Sequence, residues 1–196
     1  MSKDVLISIR PEWVKMIAND LKTIEVRKTR PKLEIPFKCY IYCTNARPRL
    51  AWADVFRGDW CTEVAEIRGY NREDAERTFD IFNGRVIGEF VCDRVIPIRY
   101  DAAQLRYHDV SRLLKEACMT EDSLEWYLKC KDGYGWQISK LGIYDTPKKL
   151  DEFMGLCKYT WDCCACPYYN YEKMECDGRK IKRPPQSWCY VEKVSE

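Results

Sequence analysis

Histidine is almost missing from this chain: His108 is the one example among 196 residues. A single imidazole excludes a two-histidine metal centre or a histidine proton relay. The residue also sits in the polar run Arg106-Tyr-His-Asp109, where an exposed side chain is expected. Long apolar runs are missing as well. No window approaches the roughly 18 consecutive apolar residues of a membrane helix, so no membrane partner is expected. The opening Met-Ser-Lys-Asp-Val-Leu-Ile-Ser-Ile-Arg-Pro has a short apolar run without a small-residue cleavage site, and it predicts no export signal. Neither sign of charge dominates. With 33 basic and 31 acidic residues the formal charge is +2. That balance excludes a lysine-rich protein coating polyphosphate by many ion contacts, though it leaves room for a local basic cleft. There is no Walker loop and no dinucleotide fingerprint, and Gly133-Tyr-Gly135 reads as a turn, so no organic cofactor is expected.

What the chain has in quantity is cysteine, 12 residues, on a background 46% hydrophobic and 13% aromatic. That composition buries a real core, and the length suits one domain with an appendage. With no export signal the expected location is cytoplasmic, where thiols stay reduced. A cysteine cluster there points to metal before disulfides.

Along the chain, Val5–Arg10 reads as a short first strand, and Pro11 opens a helix at the position where a missing N–H is harmless. Over Glu12–Leu21, Trp13, Val14, Met16, Ile17 and Leu21 fall mostly on one helical face. Thr23–Arg27 and Phe37–Thr44 read as strands, the latter with Cys39, Ile41 and Cys43 on one face. Residues 45–84 carry no clean period, with a helix-like piece near Glu73–Arg77. They read as an insertion closed by the Asn83-Gly84 turn. Arg85–Ile98 is the most strand-like segment. Helices are expected near Asp109–Cys118 and Glu121–Cys130, the second capped by Thr120, and Trp136–Ile143 returns to strand. The expected organisation is a β-rich unit over 1–150 that contains the insertion, with a cysteine-rich elaboration over 151–196 packed on it.

The sharpest functional signal is Asp20-Leu-Lys22-Thr-Ile-Glu25-Val-Arg27. Glu25 and Arg27 differ by two, so they share one face of an extended strand while Ile24 and Val26 point the other way, toward a core. Lys22 heads the strand from the helix end. A charged face on a rigid strand suits the polar lining of a cleft, which Arg10 reaches from the end of the first strand. The competing reading is a half-solvated strand of alternating charge with a lysine complementing the helix dipole.

Strand, helix and this element together resemble the ASCH signature G-x-K-x-x-E-x-R, with Lys22, Glu25 and Arg27 on its three charged positions. Asp20 stands where the family has glycine, which predicts a differently built turn. The similarity continues through Asn83–Asp93 and Trp136–Ile143. The Arg-Pro-Pro-Gln-Ser-Trp-Cys-Tyr ending resembles ASCH proteins encoded by phages and prophages of Gram-positive bacteria. This resemblance implies an α+β, PUA-like β-barrel with flanking helices, working in a bacterial or phage-infected host cytosol. It implies a ligand that is RNA or a modified nucleoside, held by Arg10, Lys22, Glu25 and Arg27. Cations hold phosphate or a base edge, Glu25 accepts from an exocyclic amine, and Tyr40, Tyr42 or Trp136 stack on a base. Arg27, Lys28, Arg30 and Lys32 add a small basic patch.

Two other functions stand beside binding. Some small ASCH proteins resemble amidohydrolases of N4-acetylcytidine, and others resemble ribonucleases, both centred on the lysine. In that case Lys22 and Glu25 are the catalytic pair. However, Glu25 stands where the amidohydrolases have threonine, and a carboxylate beside Lys22 favours its ammonium over the free amine a general base needs. A phage-encoded module that binds a host protein is the third class, since the insertion and the tail supply surface for it.

Cys157, Cys163, Cys164, Cys166, Cys176 and Cys189 crowd the tail. Cys163 and Cys166 form a C-x₂-C knuckle whose two thiolates reach one tetrahedral zinc, and Cys157 and Cys176 complete a four-sulfur set for a structural zinc. The alternative is a group of buried reduced thiols, which is how Cys39, Cys43, Cys61, Cys92, Cys118 and Cys130 read.

Overall fold

The computed structural model describes residues 3–50, 52–55, 82–157, 166, 168–172 and 174–192. Its elements run β1 (Lys3–Ile9), α1 (Pro11–Ala18), β2 (Ile24–Arg27), β3 (Phe37–Cys43), α2 (Trp52–Val55), β4 (Arg85–Cys92), β5 (Val95–Ile98), β6 (Tyr100–Asp101), β7 (Arg106–Tyr107), α3 (Ser111–Glu116), α4 (Glu121–Leu128), β8 (Gly133–Gln137), β9 (Ser139–Lys148), β10 (Tyr169–Asn170), β11 (Glu175–Cys176) and β12 (Trp188–Glu192).

Two sheets organise the molecule. The larger has the order β12-β1-β3-β4-β9 and the smaller β2-β8-β5. The chain is mixed α+β, mostly sheet. The expected barrel does not close among the described residues, because β2, β8 and β5 form a ladder only with one another and leave the two sheets separate. Consecutive strands step directly from one sheet to the other at Asp93–Arg94 and at Ile138. There Gln137 N–H donates to Arg94 O at 3.0 Å and Ile138 N–H donates to Thr23 O at 2.8 Å. These crossings split two segments that read as single strands: Arg85–Ile98 becomes β4 and β5, and Trp136–Ile143 is shared between β8 and β9.

Strands β1 and β3 of the larger sheet are buried on both faces, and their alternation says which residue goes where. Val5, Ile7 and Ile9 of β1 and Cys39, Ile41 and Cys43 of β3 enter one cluster with Val14, Ile17 and Trp136. The intervening Leu6, Tyr40 and Tyr42 enter another with Phe153 and Val191. The cysteines on β3 are therefore core thiols, as expected, and burial raises those of Cys39 and Cys43. A third cluster joins Ile24 and Val26 of β2 to Leu113, Ala117, Leu124 and Leu128 of the α3–α4 region.

Several local expectations are corrected. Gly133 and Gly135 lie within β8 and not in a turn. A Cβ on Gly135 would stand 3.0 Å from both Ile24 and Leu113, so the missing side chain lets the helix layer close on the sheet. Leu21 is 54% exposed and off the buried face of α1, because the helix ends at Ala18 and Asp20 turns the chain at φ 56°. That positive φ is the backbone state glycine adopts freely and aspartate tolerates, so Asp20 makes a left-handed turn despite having a side chain. Thr120 does cap α4, in a reciprocal box with Ser123. The turn at Asn83-Gly84 forms too, with Gly84 at φ 76° and buried Asn83 donating to Ala46 O and accepting from Leu50 N–H. The helix-like piece at Glu73–Arg77 lies outside the described residues.

Candidate functional site

The short turn after α1 places Lys22 with its own N–H donating to Met16 O at 3.2 Å, and Thr23 N–H then docks on Glu116 O at 2.9 Å. From that anchored start β2 runs extended, Ile24 and Val26 facing the helix layer and Glu25 and Arg27 facing the space between the sheets. Opposite Glu25 on β8 stands Trp136, and opposite Arg27 stands Tyr134. Directly opposed residues of an antiparallel pair project to the same side, so Trp136 shares the face of Glu25 and Arg27.

Three of the four expected site residues meet. Glu25 accepts from Arg27 at 2.9 Å and lies 3.4 Å from the Lys22 ammonium, with side-chain exposures of 3%, 8% and 7% for Lys22, Glu25 and Arg27. The competing reading of a half-solvated charged strand does not hold, because the three side chains form a buried charge node. Each cation has further partners. Lys22 donates to Ala117 O at 2.7 Å and sits 5.1 Å from the centroid of the Trp13 ring. Arg27 donates to Ser8 O at 2.6 Å and to Ser187 Oγ at 3.3 Å. These are the terms that make burial of an ion pair tolerable: good geometry, and carbonyls for the remaining donors. Among the described residues, Arg27 Nε stays buried without an acceptor, as does Trp136 Nε1 on the same face.

Arg10 does not join this node. It pairs with Glu12 at 3.4 Å on the surface, because it caps the N-terminal end of α1 with an extended backbone that turns it away. The expected stacking aromatics are core residues: Tyr40 donates to Asp4, Tyr42 is buried, and Trp136 packs edge-on against Phe37 at 5.8 Å. Of the expected basic patch, Arg27 is buried, while Lys28, Arg30 and Lys32 are exposed. His108 is exposed and hydrogen-bonded to Asp101 at 3.1 Å.

Sequence reasoning missed Tyr127. Burial pushes its phenol up, Arg27 pulls it down by charge and by a hydrogen bond, and Glu25 raises it. Tyr127 is also a wall of an open groove of about 660 Å³ whose other lining residues are Lys28, Glu125, Trp126 and Lys129. Tyr127 thus interacts with Arg27 of the node and also lines the groove. Ser187 was missed too: it comes from the far end of the chain, and no local pattern links it to Arg27.

In the tail, Cys176 is buried and pairs across β10–β11 with Tyr169, whose N–H donates to Cys166 O at 3.0 Å. Cys163 and Cys164 lie outside the described residues. Among the described residues no three His, Cys, Asp or Glu side chains are gathered for a metal, so the four-sulfur set is not assembled from these positions alone. No helix among the described residues is long and apolar enough to cross a membrane.

No protein-family model matches the chain, and no curated protein matches it. Solved structures do. The crystal structure of ASCH from Zymomonas mobilis superposes with a TM-score of 0.52 at 18% identity, covering 97% of this chain and 88% of that one. A serine-to-alanine variant of the same Zymomonas mobilis protein gives a TM-score of 0.52 at 18% identity, covering 97% and 89%. At that identity the likeness speaks for architecture, and the architecture of this chain is that of the ASCH fold.

Proposed function

We propose that this chain binds RNA, or a modified nucleoside within it, at the node formed by Lys22, Glu25 and Arg27 and approached through the groove beside Tyr127. One observation carries the reading. Arg27 Nε and Trp136 Nε1 are two buried N–H donors without acceptors, on the same face as Glu25. Orphaned buried donors are rare and costly, so a pair beside a charged node calls for an acceptor from outside. A base carbonyl or a phosphate oxygen supplies one, and Glu25 can accept from an exocyclic amine. Two cations sharing one carboxylate give the node a formal charge of +1, which suits an anionic ligand.

Hydrolysis centred on Lys22 has less support. Its ammonium is held by Ala117 O, Glu25 and the Trp13 ring, with 3% of the side chain exposed. A labelled single-stranded RNA titrated with protein at two salt concentrations tests the binding reading. Saturable, salt-sensitive binding that weakens about tenfold or more in a folded Arg27→Gln variant is expected. Absence of binding to RNA and to nucleosides by the wild-type protein would end it. Product formation that vanishes in Lys22→Ala would replace it with the hydrolase.

The tail zinc is proposed on Cys157, Cys163, Cys166 and Cys176. Its support is the C-x₂-C spacing and the hairpin that ties the Cys166 backbone, through Tyr169, to Cys176.

A further inference from the structure

Trp126 is 82% exposed, on the outer side of α4. Single exposed apolar residues are ordinary, but the setting of this one is specific. It lines the groove with Lys28, Glu125, Tyr127 and Lys129. Lys28 Nζ lies 5.2 Å from the centroid of the Tyr127 ring, so the tyrosine face is already occupied by a cation. That leaves the indole as the open aromatic surface of the groove. Two lysines against one glutamate make the lining cationic, and Lys129 closes α4 with a left-handed backbone, φ 58°.

An exposed planar ring in a groove lined by two lysines is an arrangement that suits single-stranded nucleic acid: a base stacks on the ring and the adjoining phosphates meet the lysines. A duplex offers no free base face for this. Glu125, the one carboxylate of the groove, is an acceptor that a ribose 2′-hydroxyl can donate to, which favours RNA over DNA. We propose that Trp126 is the stacking platform for an unpaired base of single-stranded RNA, with Lys28 and Lys129 on the neighbouring phosphates. The proposal rests on the RNA-binding reading and assigns the sequence-independent part of that affinity to α4.

The test uses the whole protein and a fluorescein-labelled oligouridylate of about ten nucleotides, read by anisotropy. Trp126→Ala should weaken binding roughly 5- to 150-fold, while Trp126→Phe, which keeps a ring, retains most of the affinity. In an otherwise identical oligonucleotide with abasic sites, the penalty of Trp126→Ala should fall below about twofold, since no base remains to stack. A DNA oligonucleotide of the same sequence should bind more weakly than the RNA. Wild-type binding that Trp126→Ala leaves unchanged overturns the platform while the binding reading stands. Loss of concentration-dependent self-association in Trp126→Ala, with RNA binding intact, also overturns it and assigns the patch to a second copy of the chain. If the wild-type protein binds no RNA the platform falls, and if it binds no nucleoside either the binding reading falls with it.

Discussion

Glu25 and Arg27, two positions apart on β2, meet at 2.9 Å with less than a tenth of either side chain exposed. The ion pair is therefore not a surface ornament of the strand. It sits between two sheets with Lys22 as a second cation, and among the described residues Glu25 is the carboxylate that both cations share. Carbonyls and a hydroxyl take further donors of Lys22 and Arg27, but Glu25 is the one negative charge paired with them among the described residues, and that makes it the sensitive position.

Glu25→Gln should destabilise the protein by about 3–5 kcal/mol, because it leaves two buried cations without their carboxylate. Urea unfolding measures this. Adding Lys22→Met to that variant should recover part of the loss, since one buried cation remains where there were two. A Glu25→Gln protein as stable as wild type would show that backbone carbonyls alone neutralise the node.

Asp20 holds φ 56° at an exposed turn. Asp20→Gly should be neutral or slightly stabilising, whereas Asp20→Val should cost about 1–2 kcal/mol by forcing a β-branched residue into the left-handed region. Thermal denaturation of the two variants side by side gives the difference. Because Lys22 lies two residues on, the valine variant should also weaken ligand binding.

On the larger sheet Glu89 accepts from Lys38 at 2.8 Å and from Tyr144 at 2.6 Å. Burial alone would raise its carboxyl, but those two hydrogen bonds and the charges of Lys38 and Lys148 hold it below the ordinary value of 4.5. A carboxyl depressed by folding contributes stability above its unfolded value, and that contribution is lost as pH falls through the folded one. Acid titration of unfolding free energy should show this loss below about pH 4.5, and Glu89→Gln should flatten that part of the curve. An unaltered acid limb in the variant would remove Glu89 from the account.

For the tail, elemental analysis of purified protein should find one zinc per chain, and chelation should raise the number of titratable thiols while loosening the hairpin that carries Cys176. Metal-free protein with full stability would return these cysteines to the role of small buried side chains.

Sequence alone was enough to establish several things. Alternation assigned Cys39, Ile41 and Cys43 to one face of β3, and Ile24 and Val26 to the core side of β2, because the period of two belongs to the strand itself. Thr120 announced the start of α4, because capping is settled within four residues. The spacing of Lys22, Glu25 and Arg27 brought the three together for the same local reason. Tertiary structure decided whether that charged face meets water or the inside of the protein, since this depends on Ser8, Ala117 and Ser187, which reach it from remote parts of the chain. It also decided that Arg10 turns away, that Trp136 is core while Trp126 is surface, and that two apparently continuous strands are each divided between sheets. Periodicity reports which residues share a side. Only the packing of distant segments determines what that side faces.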